Sequence, residues 1–188
     1  MLHMDRIKLT FLLTLFSTAS FACSCDWGGN FLLTGLHGEL VFKGEVTERT
    51  FHLEDGKQFE NYEEAKNYRD QKGFNEYYGL GLSITIEIHE LIKGTETRRT
   101  IRIFNTDGAD CREGIWNFEV GKFYIFSTYQ IIGTGTRLAG ETDQDFAIFA
   151  CSENWLEYSP ETDQVYGWVK GKNRKKKKFF PYSILTEN

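Results

Sequence analysis

Four cysteines are the residues of this chain best suited to chemistry: Cys23 and Cys25 are one residue apart, while Cys111 and Cys151 stand alone. Zinc sites made of four thiolates usually contain two close pairs, and redox cysteines usually have C-x-x-C spacing at a helix start. This spacing favours neither, so we expect disulfides if the chain enters an oxidising compartment. Three pairings are possible, and a bond between Cys23 and Cys25 is disfavoured because the two residues are so close in sequence.

The residues before Cys23 have the pattern of an export signal. Two basic residues, Arg6 and Lys8, precede an apolar run over 9–16, and small, mildly polar residues lead to Ala22. This order is typical of a secretory signal peptide, and the apolar run is too short to span a bilayer. We therefore predict a signal peptide over 1–22, cleavage that makes Cys23 the first residue, and secretion to the extracellular space or periplasm.

A lipid anchor on Cys23 is the alternative, since bacterial lipoproteins also begin at a cysteine. Their signals usually have leucine three residues before that cysteine and a small residue two before it. Ser20 and Phe21 occupy these places here and fit the pattern poorly. Lipidation is therefore the less favoured hypothesis.

Alternating apolar and polar residues indicate the elements that must position the cysteines. The clearest case is "SITIEIHEL" at 83–91, where isoleucines alternate with polar residues as in a half-buried strand. The five predicted strands cover 39–49, 83–91, 99–104, 122–129 and 145–151, with a bend or bulge at Gly44. Short links between most of them predict a mainly β fold in which five antiparallel strands close into an OB-like barrel without exposed edges.

A long insertion, residues 50–82, separates the first two predicted strands. Residues 61–73 predict a helix that is capped by Asn61 and stopped by Gly73. An aromatic, glycine-rich stretch with Tyr77 and Tyr78 follows and resembles a contact loop. Alternatively, the insertion is a solvent-exposed loop without a binding role.

Charge is distributed unevenly along the chain, whose net charge is −5. Residues 170–178 supply seven of the 22 Lys and Arg residues: Lys170, Lys172, Arg174, Lys175, Lys176, Lys177 and Lys178. Such a run predicts a solvated, extended tail, and it could also anchor the protein to an anionic surface. The rest of the chain is acidic, which argues against general nucleic-acid binding.

No catalytic or cofactor motif is visible in the sequence. The three histidines that follow the signal lack metal-ligand spacing, and His89 is expected to be solvated. No Ser-His-Asp group or carboxylate pair can be assembled, and the acidic stretch 141–145 is expected to be a solvated turn. We therefore predict a binding protein without a cofactor rather than an enzyme.

Several motifs together resemble the N-terminal, netrin-like domain of the tissue inhibitors of metalloproteinases. The start "CSC" at 23–25 is the most specific of them, and "ELVFKGEV" and "ITIEIHELIKG" are similar to the first two barrel strands of that family. "DGADC", "GKFYIFS" and "FAIFAC" followed by Trp155 are similar to its later elements. The similarity runs from Cys23 to about Trp155, and Arg112 stands where that family usually has glycine.

The resemblance implies a netrin-like barrel with flanking short helices and two disulfides, Cys23–Cys111 and Cys25–Cys151. The amine and carbonyl of Cys23 would chelate the catalytic zinc of a metalloprotease, and Ser24 would enter the adjoining pocket. Ala109 and Asp110 would lie beside this inhibitory segment, and the insertion would contact the protease, with Tyr77 and Tyr78 as the contact residues.

The domain organisation that follows is a signal peptide (1–22), a netrin-like domain (23–155) and a C-terminal extension with a basic tail (156–188). The function that we predict is that of a secreted metalloprotease-inhibitor-like protein. The alternative is a non-inhibitory module, lipidated in one variant, that binds proteins or the cell surface.

Overall fold

The computed structural model describes residues 27–105, 111–133, 137–173 and 175–187. Within these residues, nine strands form one sheet, which confirms the mainly β class. The strands are β1 (Leu40–Leu53), β2 (Gln58–Phe59), β3 (Leu80–Lys93), β4 (Thr100–Asn105), β5 (Phe123–Gln130), β6 (Phe146–Ala147), β7 (Trp155–Ser159), β8 (Gln164–Gly167) and β9 (Lys178–Pro181). Short 3-10 helices span Gly35–His37, Ile115–Asn117 and Tyr182–Leu185.

Five of the strands pair in a closed ring, in the order β1-β3-β4-β6-β5 and back to β1. The prediction of five antiparallel strands is wrong at one place, because β4 and β6 are parallel. Strand directions cannot alternate all the way round a ring with an odd number of members, so at least one pair must be parallel. β6 is also shorter than the predicted strand 145–151, of which it keeps two residues.

β1 pairs with β3 on one side and with β5 on the other, and so closes the ring. Its pairing with β3 shifts register at Gly44, which confirms the predicted irregularity there. A side chain at Gly44 would lie 2.5 Å from a methyl carbon of Ile86, so only glycine allows the two strands to approach this closely.

The insertion contains α1 (Tyr62–Lys72), as the sequence predicts. The Asn61 side chain accepts a hydrogen bond from the backbone N–H of Glu64, and Gly73 ends the helix in the left-handed conformation. β1 and β3 extend into the predicted insertion from both sides, so only residues 54–79 lie between these two strands.

The C-terminal part of the chain continues the sheet outward from β5 through β7, β8 and β9. The described residues of the basic run 170–178 are exposed, as predicted, but the run is not a free tail, because β9, which begins at Lys178, pairs with β8, and beyond it Tyr182 and Leu185 are buried. These two side chains join a second apolar cluster with Phe31 and Val41 on the outer side of β1. The main cluster, with Phe42, lies on the opposite face of the same strand.

Candidate functional site

The predicted inhibitory residues fall into two groups. Cys23, Ser24, Cys25, Ala109 and Asp110 lie outside the described residues. Cys111, Cys151, Tyr77 and Tyr78 are described, and the structure shows the surroundings of these four residues.

Cys111 and Cys151 are close neighbours in a short antiparallel ladder. The backbone N–H of Ala150 donates to the carbonyl of Cys111 at 2.8 Å, and that of Glu113 donates to Ile148 at 2.8 Å. Neither cysteine is a free thiol. No disulfide has both of its ends described, so the predicted bonds to Cys23 and Cys25 stay predictions.

The first described residues of the chain lie against the same ladder. The backbone N–H of Gly28 donates to the carbonyl of Cys151 at 2.8 Å, and that of Glu153 donates to Gly29 at 3.1 Å. Trp27 stacks on Trp168, with ring centroids 6.3 Å apart. These contacts hold residues 27–29 beside Cys151, and we call this region, formed by residues 27–29, 111–113 and 148–153, the cysteine rim.

Arg112, next to Cys111, forms an ion pair with Glu141, whose side chain has no exposed surface. A second arginine, Arg102, binds both carboxylate oxygens of Asp145 at 2.9 Å. The prediction that 141–145 is a solvated turn is therefore wrong at both of its ends. Each carboxylate is buried because an arginine from a distant part of the chain neutralises it.

The aromatic stretch with Tyr77 and Tyr78 is connected to the cysteine rim through the turn at 138–141. The Asn75 side chain accepts hydrogen bonds from the backbone N–H groups of Tyr77 and Tyr78, both at 2.9 Å. The carbonyl of Tyr78 accepts from Ala139 at 3.0 Å, two residues before Glu141. The two tyrosine side chains are 67% and 46% exposed, so they are available for contact.

A buried histidine, His52, lies beneath the same turn, and no sequence motif pointed to it. His52 Nε2 is 2.8 Å from Ser83 Oγ, and Gly140, at φ +78°, packs so tightly on His52 that a side chain there would clash. Burial, followed by the positive charge of Arg102, lowers the pKa of His52 to about 4. The Ser-His pair is shielded from solvent, so this geometry serves packing rather than surface catalysis.

The basic segment, defined here as residues 170–178, is exposed at each of its described residues and ends at Lys178, the first residue of β9. Arg174 lies outside the described residues. The six described lysines of the segment are all exposed: Lys170, Lys172, Lys175, Lys176, Lys177 and Lys178. Two of them also contact the body of the protein. Lys177 is 3.5 Å from the Glu153 carboxylate, and Lys170 lies over the ring of Phe180.

The described residues contain no group of three or more His, Cys, Asp or Glu side chains that could hold a metal ion. Within the same residues, none of the helices has the length and apolar character needed to cross a bilayer. Comparisons with protein-family models, curated proteins and solved structures found no match for this chain.

Proposed function

We propose that this protein is a secreted, OB-like netrin-fold binding protein that inhibits a zinc metalloprotease through its mature N-terminus. The observation that supports the proposal best is the position of residues 27–29, which pack directly against Cys151 in the ladder that also contains Cys111. The proposed inhibitory segment, residues 23–25, closely precedes these anchored residues in the sequence. The ring of five strands is compatible with the proposed barrel.

The proposed mechanism needs Cys23 to be both the first residue and rigidly held. Bonds from Cys23 to Cys111 and from Cys25 to Cys151 would clamp 23–25 in an extended shape on the cysteine rim. A clamped segment loses less conformational entropy when it binds a target.

The chemistry would come from the backbone of Cys23. Its amine and carbonyl oxygen form a five-membered chelate on the zinc of the target, which keeps one ligand position open for water. The amine must be neutral to donate, and its reference pKa of about 7.7–8.0 makes a useful neutral fraction available near pH 7. The Ser24 side chain would enter the neighbouring pocket, and Tyr77 and Tyr78 would add contacts at the periphery.

The test compares a mature chain that begins at Cys23 with the same chain carrying one extra alanine before it. We expect the first to inhibit a panel of zinc metalloproteases and the second to lose inhibition, because the extra residue removes the free amine of Cys23. A chain with the added alanine at its C-terminus is the control and should inhibit fully. Equal inhibition by all three chains would refute chelation, and N-terminal sequencing of exported protein would establish the native start.

The basic segment favours a second candidate function, attachment to an anionic surface. Six exposed lysines lie together on an otherwise acidic protein, and Phe179 beside them is 63% exposed. This arrangement could combine attraction to anionic lipid headgroups with insertion of an aromatic ring. Vesicles of phosphatidylglycerol and phosphatidylcholine should bind the protein at low salt and release it at high salt. A variant with Lys175–Lys178 changed to glutamine should not bind, and unchanged binding by that variant would reject this candidate.

A further inference from the structure

A cleft of about 560 Å³ opens on a part of the molecule that shares no residue with the cysteine rim. Three segments form it: the middle of β1, the start of α1 and the 3-10 helix at 115–117 with the turn that follows. Its volume lies within the usual range for small-molecule sites. The lining residues are Thr47, Glu48, Arg49, Phe51, Glu60, Asn61, Tyr62, Trp116 and Val120.

Aromatic rings form one wall of this cleft. Tyr62 and Trp116 meet edge to face, with centroids 5.2 Å apart, and Phe51 packs on Tyr62 at 5.6 Å. Phe51 is buried and supports the other two rings, whereas Trp116 is 47% exposed. A rigidly supported, half-exposed tryptophan offers a flat apolar face to a ligand in the cleft.

Arg49 packs on Trp116 and fixes the position of that ring at the side of the cleft. One of its terminal nitrogens donates to the Phe118 carbonyl, and its guanidinium lies over the Trp116 ring at 5.3 Å. Its Nε is buried and has no hydrogen-bond partner. Because this nitrogen has no accessible surface, it belongs to the wall of the cleft, and Arg49 acts by holding Trp116 in place.

The remaining polar groups of the cleft are mostly exposed acceptors. Glu48 and Glu60 are exposed, and among the described residues neither takes part in a salt bridge. Thr47 adds a hydroxyl group, and Asn61 adds its amide nitrogen because the amide oxygen already caps α1. The cleft therefore presents donors and acceptors side by side around an aromatic wall.

We propose that this cleft binds a short, neutral oligosaccharide. Sugar hydroxyls both donate and accept, which matches the exposed carboxylates, the Thr47 hydroxyl and the Asn61 amide nitrogen of the cleft, and the C–H face of a sugar ring can pack on Trp116. Two carboxylates disfavour sulfated or phosphorylated ligands. Arg49 beside Trp116 offsets part of the attraction that the two carboxylates exert on a cation.

The mature protein is first screened on an array that carries neutral gluco-, manno- and chito-oligosaccharides together with sulfated ones. The best neutral binder is then titrated while tryptophan fluorescence is followed. We expect neutral glycans to bind and their sulfated counterparts to bind more weakly. Absence of binding to every neutral glycan, or a preference for the sulfated ones, would overturn the proposal.

Variants localise the binding to the cleft. Trp116→Ala and Arg49→Met should each weaken the affinity roughly tenfold or more, since the first removes the aromatic wall and the second removes the guanidinium that holds Trp116 in place. Glu60→Gln keeps the shape of an exposed residue and should weaken binding less, so it tests the site even if Trp116→Ala fails to fold. Phe179→Ala, an exposed aromatic outside the cleft, is the matched control and should bind normally. Unchanged affinity in both Arg49→Met and Glu60→Gln would also overturn the proposal.

Discussion

Acidification should destabilise this protein through His52, and replacing His52 with glutamine should remove that effect. His52 is 3% exposed, hydrogen-bonded to Ser83 and close to the positive charge of Arg102. Glutamine can keep a hydrogen bond to Ser83 but cannot take up a proton near neutral pH.

The expected magnitude follows from the two pKa values of His52, 6.5 in an unperturbed chain and about 4 in the folded protein. Above pH 6.5 the imidazole is neutral in both states, so it contributes no pH dependence. Between pH 6.5 and 4 the unfolded chain binds the proton first, and the free energy of unfolding therefore falls as the pH falls. The total loss by pH 4 is about 3 kcal/mol, because one pKa unit corresponds to ~1.4 kcal/mol.

Urea unfolding at a series of pH values between 8 and 4 measures this loss. The decline in the free energy of unfolding should be smaller in His52→Gln than in the native sequence by about 3 kcal/mol across that interval. Ser83→Ala is the control: it removes the hydrogen bond but keeps the histidine, so it should lower stability at every pH and retain most of the decline. Parallel pH profiles for the native protein and His52→Gln would refute this account of His52.

Three further predictions concern single contacts. Arg112→Met should destabilise the protein by ~3–5 kcal/mol in urea unfolding because it leaves the buried Glu141 carboxylate unpaired. Adding Glu141→Gln to that variant should recover part of the loss, and no recovery would mean that the pair is not coupled. Gly81→Ala should lower the melting temperature and cost ~1–3 kcal/mol, since its methyl group would overlap the Ala139 carbonyl oxygen, whereas Gly114→Ala, at φ −68° and with only the Asn117 side chain at 3.9 Å from the added carbon, controls for crowding. Equal melting temperatures of these two variants would contradict the close approach of Gly81 to the Ala139 carbonyl oxygen. Asn61→Ala should cost ~1 kcal/mol through loss of the α1 cap, and Asn61→Ser should restore most of it; if serine does not, the cap is not the cause.

Local patterns predicted the elements whose structure depends on neighbouring residues. The alternation in 83–91 lies within β3, because a strand with one buried face repeats every two residues. The cap at Asn61 and the stop at Gly73 bound α1 as expected, since capping bonds reach only three or four residues along the chain. β9 was missed because its lysine-rich approach obscures the short apolar pattern of 179–180.

The candidate sites also combine features that the sequence predicts with features that it does not. Cys111 and Cys151 could be chosen from residue type and count alone, but their common ladder could not, because it joins backbone atoms about forty residues apart in sequence. The cleft is a stronger case, since Arg49, Tyr62 and Trp116 come from three segments with no shared motif.

The sequence by itself determined where the strands of the ring lie, where the helix begins and ends, and which residues could form disulfides, because these properties depend on short-range spacing and side-chain type. It did not indicate β2, β7, β8 or β9. Only the tertiary structure decided which charges are buried, which strand pair is parallel, and which aromatic and polar groups meet in one cleft. The physical reason is that burial and ion pairing depend on neighbours in space. Glu141 can be buried only because Arg112, 29 residues earlier in the chain, is brought to its side.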